Sequence, residues 1–126
     1  NVPCQHAIQT ALGGYHSINE LIKDDGRLIK QRNLAHKMIN DIDGLSCNPA
    51  MGALYLFVKV DQEKFNIVDD ERMILDLLKQ EKILLVHGSA FNIREKNYFR
   101  LVFLPHVDEL VPAMGKLKNF FSAYRQ

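Results

Sequence analysis

Cysteine is scarce in this 126-residue chain: Cys4 and Cys47 are the two, and they form no CxxC pair. With no dithiol or metal-ligand spacing, they read as reduced thiols of a cytoplasmic protein. Long apolar runs are missing as well, so no stretch approaches a membrane span, and no secretory signal is expected from these residues. Charge of one sign is also lacking. The formal net charge is +1, and the basic residues are interleaved with Asp and Glu. Nucleic-acid binding needs a basic patch or stripe, so it is not expected. The catalogue of catalytic motifs is equally thin. There is no GxSxG, GxGxxG or GxxxxGK[ST], and none of His6, His16, His36, His87 and His106 sits at metal-ligand spacing. Neither a metal site nor a nucleophilic triad has an anchor. The paired carboxylates Asp24-Asp25 and Asp69-Asp70 stand at expected helix starts, where capping and the helix dipole favour Asp. The lysines fall on helix surfaces, in polar loops or at strand ends, with no conspicuously apolar setting for a Schiff base.

What is present is an ordinary globular composition, 47% hydrophobic and 25% charged, enough for one domain or part of a larger one. The pattern predicts a short helix over 5–13, ended by Gly13-Gly14. A second helix is expected from the capping box Ser17-Ile-Asn-Glu20 to about Lys23. A third, from Arg27 to about Ile42, follows the Asp24-Asp25-Gly26 joint, the two together forming one long bent rod. Turns at Asp43-Gly44 and Asn48-Pro49 lead to a strand over 53–60. A polar connection over 61–68 carries Phe65 and Ile67 and leads to a helix over about 70–81. Ile83 to His87 reads as a short strand buried on both faces, 98–104 as another strand, and Asp108 as the cap of a last helix with Pro112 in its first turn. The expected architecture is α/β, an α+β two-layer arrangement with a small sheet of about three strands covered by helices.

One charge stands out. In Tyr98-Phe-Arg-Leu-Val-Phe-Leu104, Arg100 interrupts an apolar strand. Alternation puts Phe99, Leu101 and Phe103 on one face, and Tyr98, Arg100 and Val102 on the other. A guanidinium cannot deprotonate and offers a planar fork for one carboxylate or phosphate. Pattern alone leaves three readings open: an edge-strand Arg in water, a structural salt bridge, or a ligand contact.

The stretches NVPCQHAIQTAL (1–12), PAMGALYLFVKV (49–60), ILLVHGSAF (83–91) and NYFRLVF (97–103), with the closing helix, resemble the C-terminal part of a class I/II aminotransferase of the pyridoxal-phosphate (PLP) fold type I kind. The variant FNIVDDERMILDLLKQEKILLVHGSAFN is most similar to bacterial alanine (glutamate–pyruvate) aminotransferases. The resemblance implies that 1–15 is a remnant of the large PLP-binding domain and that 16–126 is the linking helix plus the small domain. It also implies that Arg100 binds the substrate's α-carboxylate, that PLP is the cofactor of the full-length enzyme, and that the enzyme is a homodimer acting on an amino acid and a 2-oxo acid. The cofactor residues, including the Schiff-base Lys, would precede Asn1, so the segment alone is expected to be inactive. The alternative is a free-standing α/β module that binds a small carboxylate. Two positions depart from the family: Val58 where many relatives have Pro, and Asn92 where many have Gly. Both leave loop geometry and substrate preference open.

Overall fold

The computed structural model describes residues 1–126, which group into two compact units, Asn1–Lys30 and Gln31–Gln126. In the first unit, α1 spans Val2–Gly13 and buries no residue. Pro3 sits in its first turn, where a missing amide costs nothing, and the Gly14 amide closes the last turn on the Thr10 carbonyl at 2.9 Å. Its apolar side chains stay in the open: Ile8 is 50% exposed and Leu12 is 75% exposed. The second helix, α2, is Ile18–Ile22. Its expected capping box does not form. Ser17 itself takes helical dihedrals and makes no side-chain cap, while Glu20 accepts from the Tyr15 hydroxyl at 2.7 Å and pairs with Lys23 at 3.0 Å. Lys23 turns extended and ends α2, and α3 starts afresh at Arg27 and runs to Asn40.

The second unit is built on a four-stranded antiparallel sheet, one strand more than the pattern predicts. The strands are β1 (Leu45–Ser46), β2 (Tyr55–Val60), β3 (Val86–His87) and β4 (Tyr98–Val102), in the order β1-β2-β4-β3. The two long strands form the centre, pairing Leu56 with Leu101, Phe57 with Arg100 and Val58 with Phe99. The two outer strands are only two residues each. Opposite residues share a face, so Leu56, Val58, Val60, Phe99 and Leu101 form one apolar surface, every one of them buried. Three helices supply the other half of this core: Ala35 and Ile39 from α3 with Ile42 just beyond it, Met73, Ile74 and Leu77 from α5 (Asp70–Glu81), and Leu110, Met114, Leu117 and Phe121 from α6 (Val107–Ala123). The two-layer α+β expectation is borne out. The opposite face of the sheet carries Tyr55, Phe57, Tyr98, Arg100 and Val102, none of them fully buried.

Several local expectations change. The 61–68 connection contains a short helix, α4 (Gln62–Phe65), capped by Asp61, whose side chain accepts from the Glu63 and Lys64 amides. Phe65 and Ile67 are its buried anchors. Gly44 makes the turn into β1 with φ +92°, and an added Cβ would meet the Phe65 ring at 2.5 Å, so no other residue fits there. Asp69 caps α5 as expected, accepting from the Glu71 and Arg72 amides. The stretch 83–87 is not buried on both faces. Only Val86 and His87 pair, and Leu84 is 75% exposed. At α6 the cap position belongs to His106, and Asp108 lies inside the first turn, where the dipole still favours its charge. Pro112 is the sixth residue of the helix, so its missing amide removes one bond to the Asp108 carbonyl.

Candidate functional site

The open face of the sheet is aromatic around one cation. The Arg100 guanidinium lies over two rings, with its Cζ 4.5 Å from the centroid of Tyr55 and 4.8 Å from that of Phe91. Tyr55 comes from the start of β2, two residues along from Phe57, which pairs with Arg100. Phe91 arrives from the 3-10 turn Gly88–Phe91 that follows β3. Phe57 backs the assembly, edge-on to Phe91 at 5.8 Å and stacked on Tyr98 at 5.5 Å. Two rings facing a guanidinium attract it through their quadrupoles and also hold its plane. They supply no anion.

None of the ion pairs of the chain includes Arg100. Its Nε is buried without a hydrogen-bond partner, while the side chain as a whole is half-buried. A structural salt bridge is thereby ruled out within this chain. An edge-strand position is ruled out too, because β4 is flanked by β2 and β3.

The turn that carries Phe91 is fastened from the other side of the sheet. Asp70, the first residue of α5, is fully buried. Its Oδ2 accepts from the Ser89 amide at 2.8 Å and its Oδ1 accepts from the Ser89 hydroxyl at 2.7 Å. Since that hydroxyl proton is committed to Asp70, the contact between Ser89 Oγ and His87 Nδ1 at 2.8 Å has the histidine as donor. Ser89 thus bridges Asp and His. In a nucleophilic triad His bridges the other two, so the cluster is an anchor for the turn. Gly88 lets that turn lie against β4, since a Cβ there would stand 2.6 Å from Tyr98 Cβ. Asn92 ends the turn with φ 59°. Asn92 is a side chain that tolerates the left-handed region, so the residue noted as a departure keeps that backbone conformation open. Val58 faces the core, fully buried opposite Phe99.

Elsewhere the chain offers little chemistry. No group of His, Cys, Asp or Glu could hold a metal ion, and no helix is long and apolar enough to cross a membrane. Every lysine is exposed except Lys64, which is partly covered and paired with Asp43. Burial pushes the Cys47 thiol above its ordinary range, against the weaker opposing effect of its Asn40 contact, which makes it a poor nucleophile.

No family model matches the chain. Individual proteins do. It is 58% identical over all 126 residues to the glutamate-pyruvate aminotransferase AlaA of Haemophilus influenzae and 48% identical to the alanine aminotransferase of Mycobacterium tuberculosis. Its fold superposes on an aminotransferase from Escherichia coli with a TM-score of 0.91 at 56% identity, covering 100% of this chain. By sequence and fold, the chain is a segment of the aminotransferase family. It spans about a third of its relatives' length, 31% of the Haemophilus protein and 31% of the Escherichia coli chain. An alanine aminotransferase from Pyrococcus furiosus, at 32% identity, still superposes with a TM-score of 0.80. The alanine-aminotransferase subgroup inferred from the stretch 65–92 agrees with these matches.

Arg100 was legible in the sequence, whereas its two aromatic walls were not singled out there. The signal was available: Tyr55 and Phe91 both lie within the family-like stretches around 49–60 and 83–91. From the sequence, Asp70 reads as a helix-start residue, which it also is. Its bond to Ser89 joins positions 19 apart, which no local pattern encodes.

Proposed function

We propose that this segment belongs to a PLP-dependent aminotransferase that moves an amino group between alanine or glutamate and a 2-oxo acid, and that Arg100 binds the substrate's α-carboxylate. The observation that carries the reading is the guanidinium itself: a permanent cation, oriented by Tyr55 and Phe91 and lacking any anionic partner in its own chain. A carboxylate docking on its fork supplies the missing charge through two parallel N–H···O bonds. It also fixes the Cα–N bond of the amino acid relative to the cofactor, which turns a bimolecular encounter into an oriented one.

PLP, when bound, is the electron sink of such a reaction. The residues of this segment do not make a site for it, and its lysine and phosphate contacts are assigned to the rest of the protein. On this reading the segment alone is inactive, 1–15 belongs with the large domain, and the enzyme works as a homodimer. The bare apolar side chains of α1, with Leu12 75% exposed, support a missing packing partner there. The test is a coupled assay of the full-length protein with added PLP, L-alanine and 2-oxoglutarate. Pyruvate release that depends on both substrates is expected, and no turnover with any 2-oxo acid acceptor would overturn the assignment.

A further inference from the structure

We propose that Asp70, acting through Ser89, is a positioning residue for Arg100. It sets the 88–91 turn so that the Phe91 ring forms one wall of the guanidinium slot. The proposal rests on the reading of Arg100 as the carboxylate anchor.

Phe91 is 39% exposed and its one ring neighbour is Phe57 at 5.8 Å, so the backbone that carries it shares in setting its position. That backbone is a four-residue turn with one two-point fastening: the Ser89 amide and the Ser89 hydroxyl both donate to the same carboxylate, at 2.8 and 2.7 Å. Two bonds to one rigid group fix orientation as well as distance. The carboxylate is itself immobile, because Asp70 is fully buried at the start of α5, and Met73, Ile74 and Leu77 seat that helix in the core. His87 Nδ1 donates to Ser89 Oγ at 2.8 Å and so turns the hydroxyl proton toward Asp70. Position is therefore relayed from the core to α5, to Asp70, to Ser89, to Phe91, and finally to the face of Arg100 at 4.8 Å. The remote end of this relay lies on the opposite side of the sheet from the site, and it controls an aromatic wall without touching substrate.

The experiment is a double-mutant cycle on the full-length enzyme with L-alanine and 2-oxoglutarate, both of which carry an α-carboxylate. Ser89→Ala is expected to raise both KM values by roughly 3- to 10-fold with kcat held within about 2-fold, as a displaced ground-state contact should. Ser89→Thr, which keeps the hydroxyl, should restore values close to the wild type. Phe91→Leu should raise both KM values similarly, and Ser89→Ala added to Phe91→Leu should change them by less than about 1.5-fold, because the wall that Ser89 positions is already gone. Additive effects in the double variant, or unchanged KM values in Ser89→Ala, would overturn the proposal. If Ser89→Ala does not fold, Asp70→Asn serves: it is isosteric, keeps one acceptor oxygen, and should give the same KM pattern, with unchanged KM values again overturning the relay. Arg100→Gln separates the two claims. If it raises both KM values while the Ser89 and Asp70 variants do not, only the relay fails. If it leaves them unchanged, the carboxylate reading fails and the relay falls with it.

Discussion

Replacing Arg100 with Met should leave folding stability nearly unchanged, although the residue lies in the middle of a central strand. Two effects oppose each other. The guanidinium loses its contacts with the Tyr55 and Phe91 rings, at 4.5 and 4.8 Å, each worth about 0.5–1 kcal/mol. Against this, the substitution removes a buried Nε that has no partner, a desolvation penalty of about 1–3 kcal/mol. Met keeps a flexible apolar stem for the rings to pack on. The two estimates cancel to within about 1 kcal/mol. A structural ion pair would behave otherwise, since breaking one strands its partner and costs about 3–5 kcal/mol. Urea unfolding of the full-length protein, followed by a probe of this segment, measures the difference as a shift in midpoint at constant slope. Phe99→Ala is the control. It is the neighbouring residue on the core face, fully buried, and should cost about 3–5 kcal/mol. A loss above about 3 kcal/mol in Arg100→Met would refute the reasoning, because it would mean that Arg100 already has an anionic partner in the folded protein.

Gly88→Ala should destabilise by about 1–3 kcal/mol, because the added Cβ would lie 2.6 Å from Tyr98 Cβ and push the turn off β4; the same urea titration detects it, and an unchanged midpoint would contradict the close approach. Asp69→Ala should cost about 1 kcal/mol of stability through loss of the cap on the Glu71 and Arg72 amides, read as a lower midpoint. Burial, with the Asp76 hydrogen bond adding to it, pushes the Tyr124 hydroxyl from 10.0 up to about 12. Folding therefore favours the neutral phenol, a contribution that is complete below the unfolded value and is lost as pH rises through about 12. Unfolding titrations at alkaline pH should show Tyr124→Phe losing less stability than the wild type across that window, by about 1 kcal/mol after solvent screening.

The elements visible in the sequence are those whose burial is set by a strict period. In β2 and β4, polar or aromatic residues alternate with Leu56, Val58, Phe99 and Leu101, and in α5 and α6 the apolar residues recur at helical spacing, so the central strands and the covering helices were legible. What failed was set by which of several competing partners each residue meets in the fold. The Ser17–Glu20 pattern looks like a capping box, but Tyr15 and Lys23 capture the Glu20 carboxylate. Ile83 to Leu85 has the composition of a buried strand, yet pairing with β4 starts only at Val86, opposite Arg100, and Leu84 is left 75% exposed. The strand β1 is two residues long and exists because Leu45 and Ser46 find Val60 and Lys59. At the site, the oddity of Arg100 was legible. That its fork is free was not, since the absence of a partner can be seen only once every Asp and Glu has been placed.

The central claim is that Arg100 recognises the α-carboxylate. Single-turnover rates of the full-length, PLP-loaded protein test it most directly, with L-alanine compared against L-alaninamide, in which a neutral amide replaces the carboxylate. Losing a bidentate charge-assisted contact costs about 2–5 kcal/mol, or roughly 30-fold to a few thousand-fold in kcat/KM. Arg100→Gln should therefore slow L-alanine by that factor and leave L-alaninamide within about 3-fold of the wild type. Equal losses on both substrates, or no loss on L-alanine, would contradict the account.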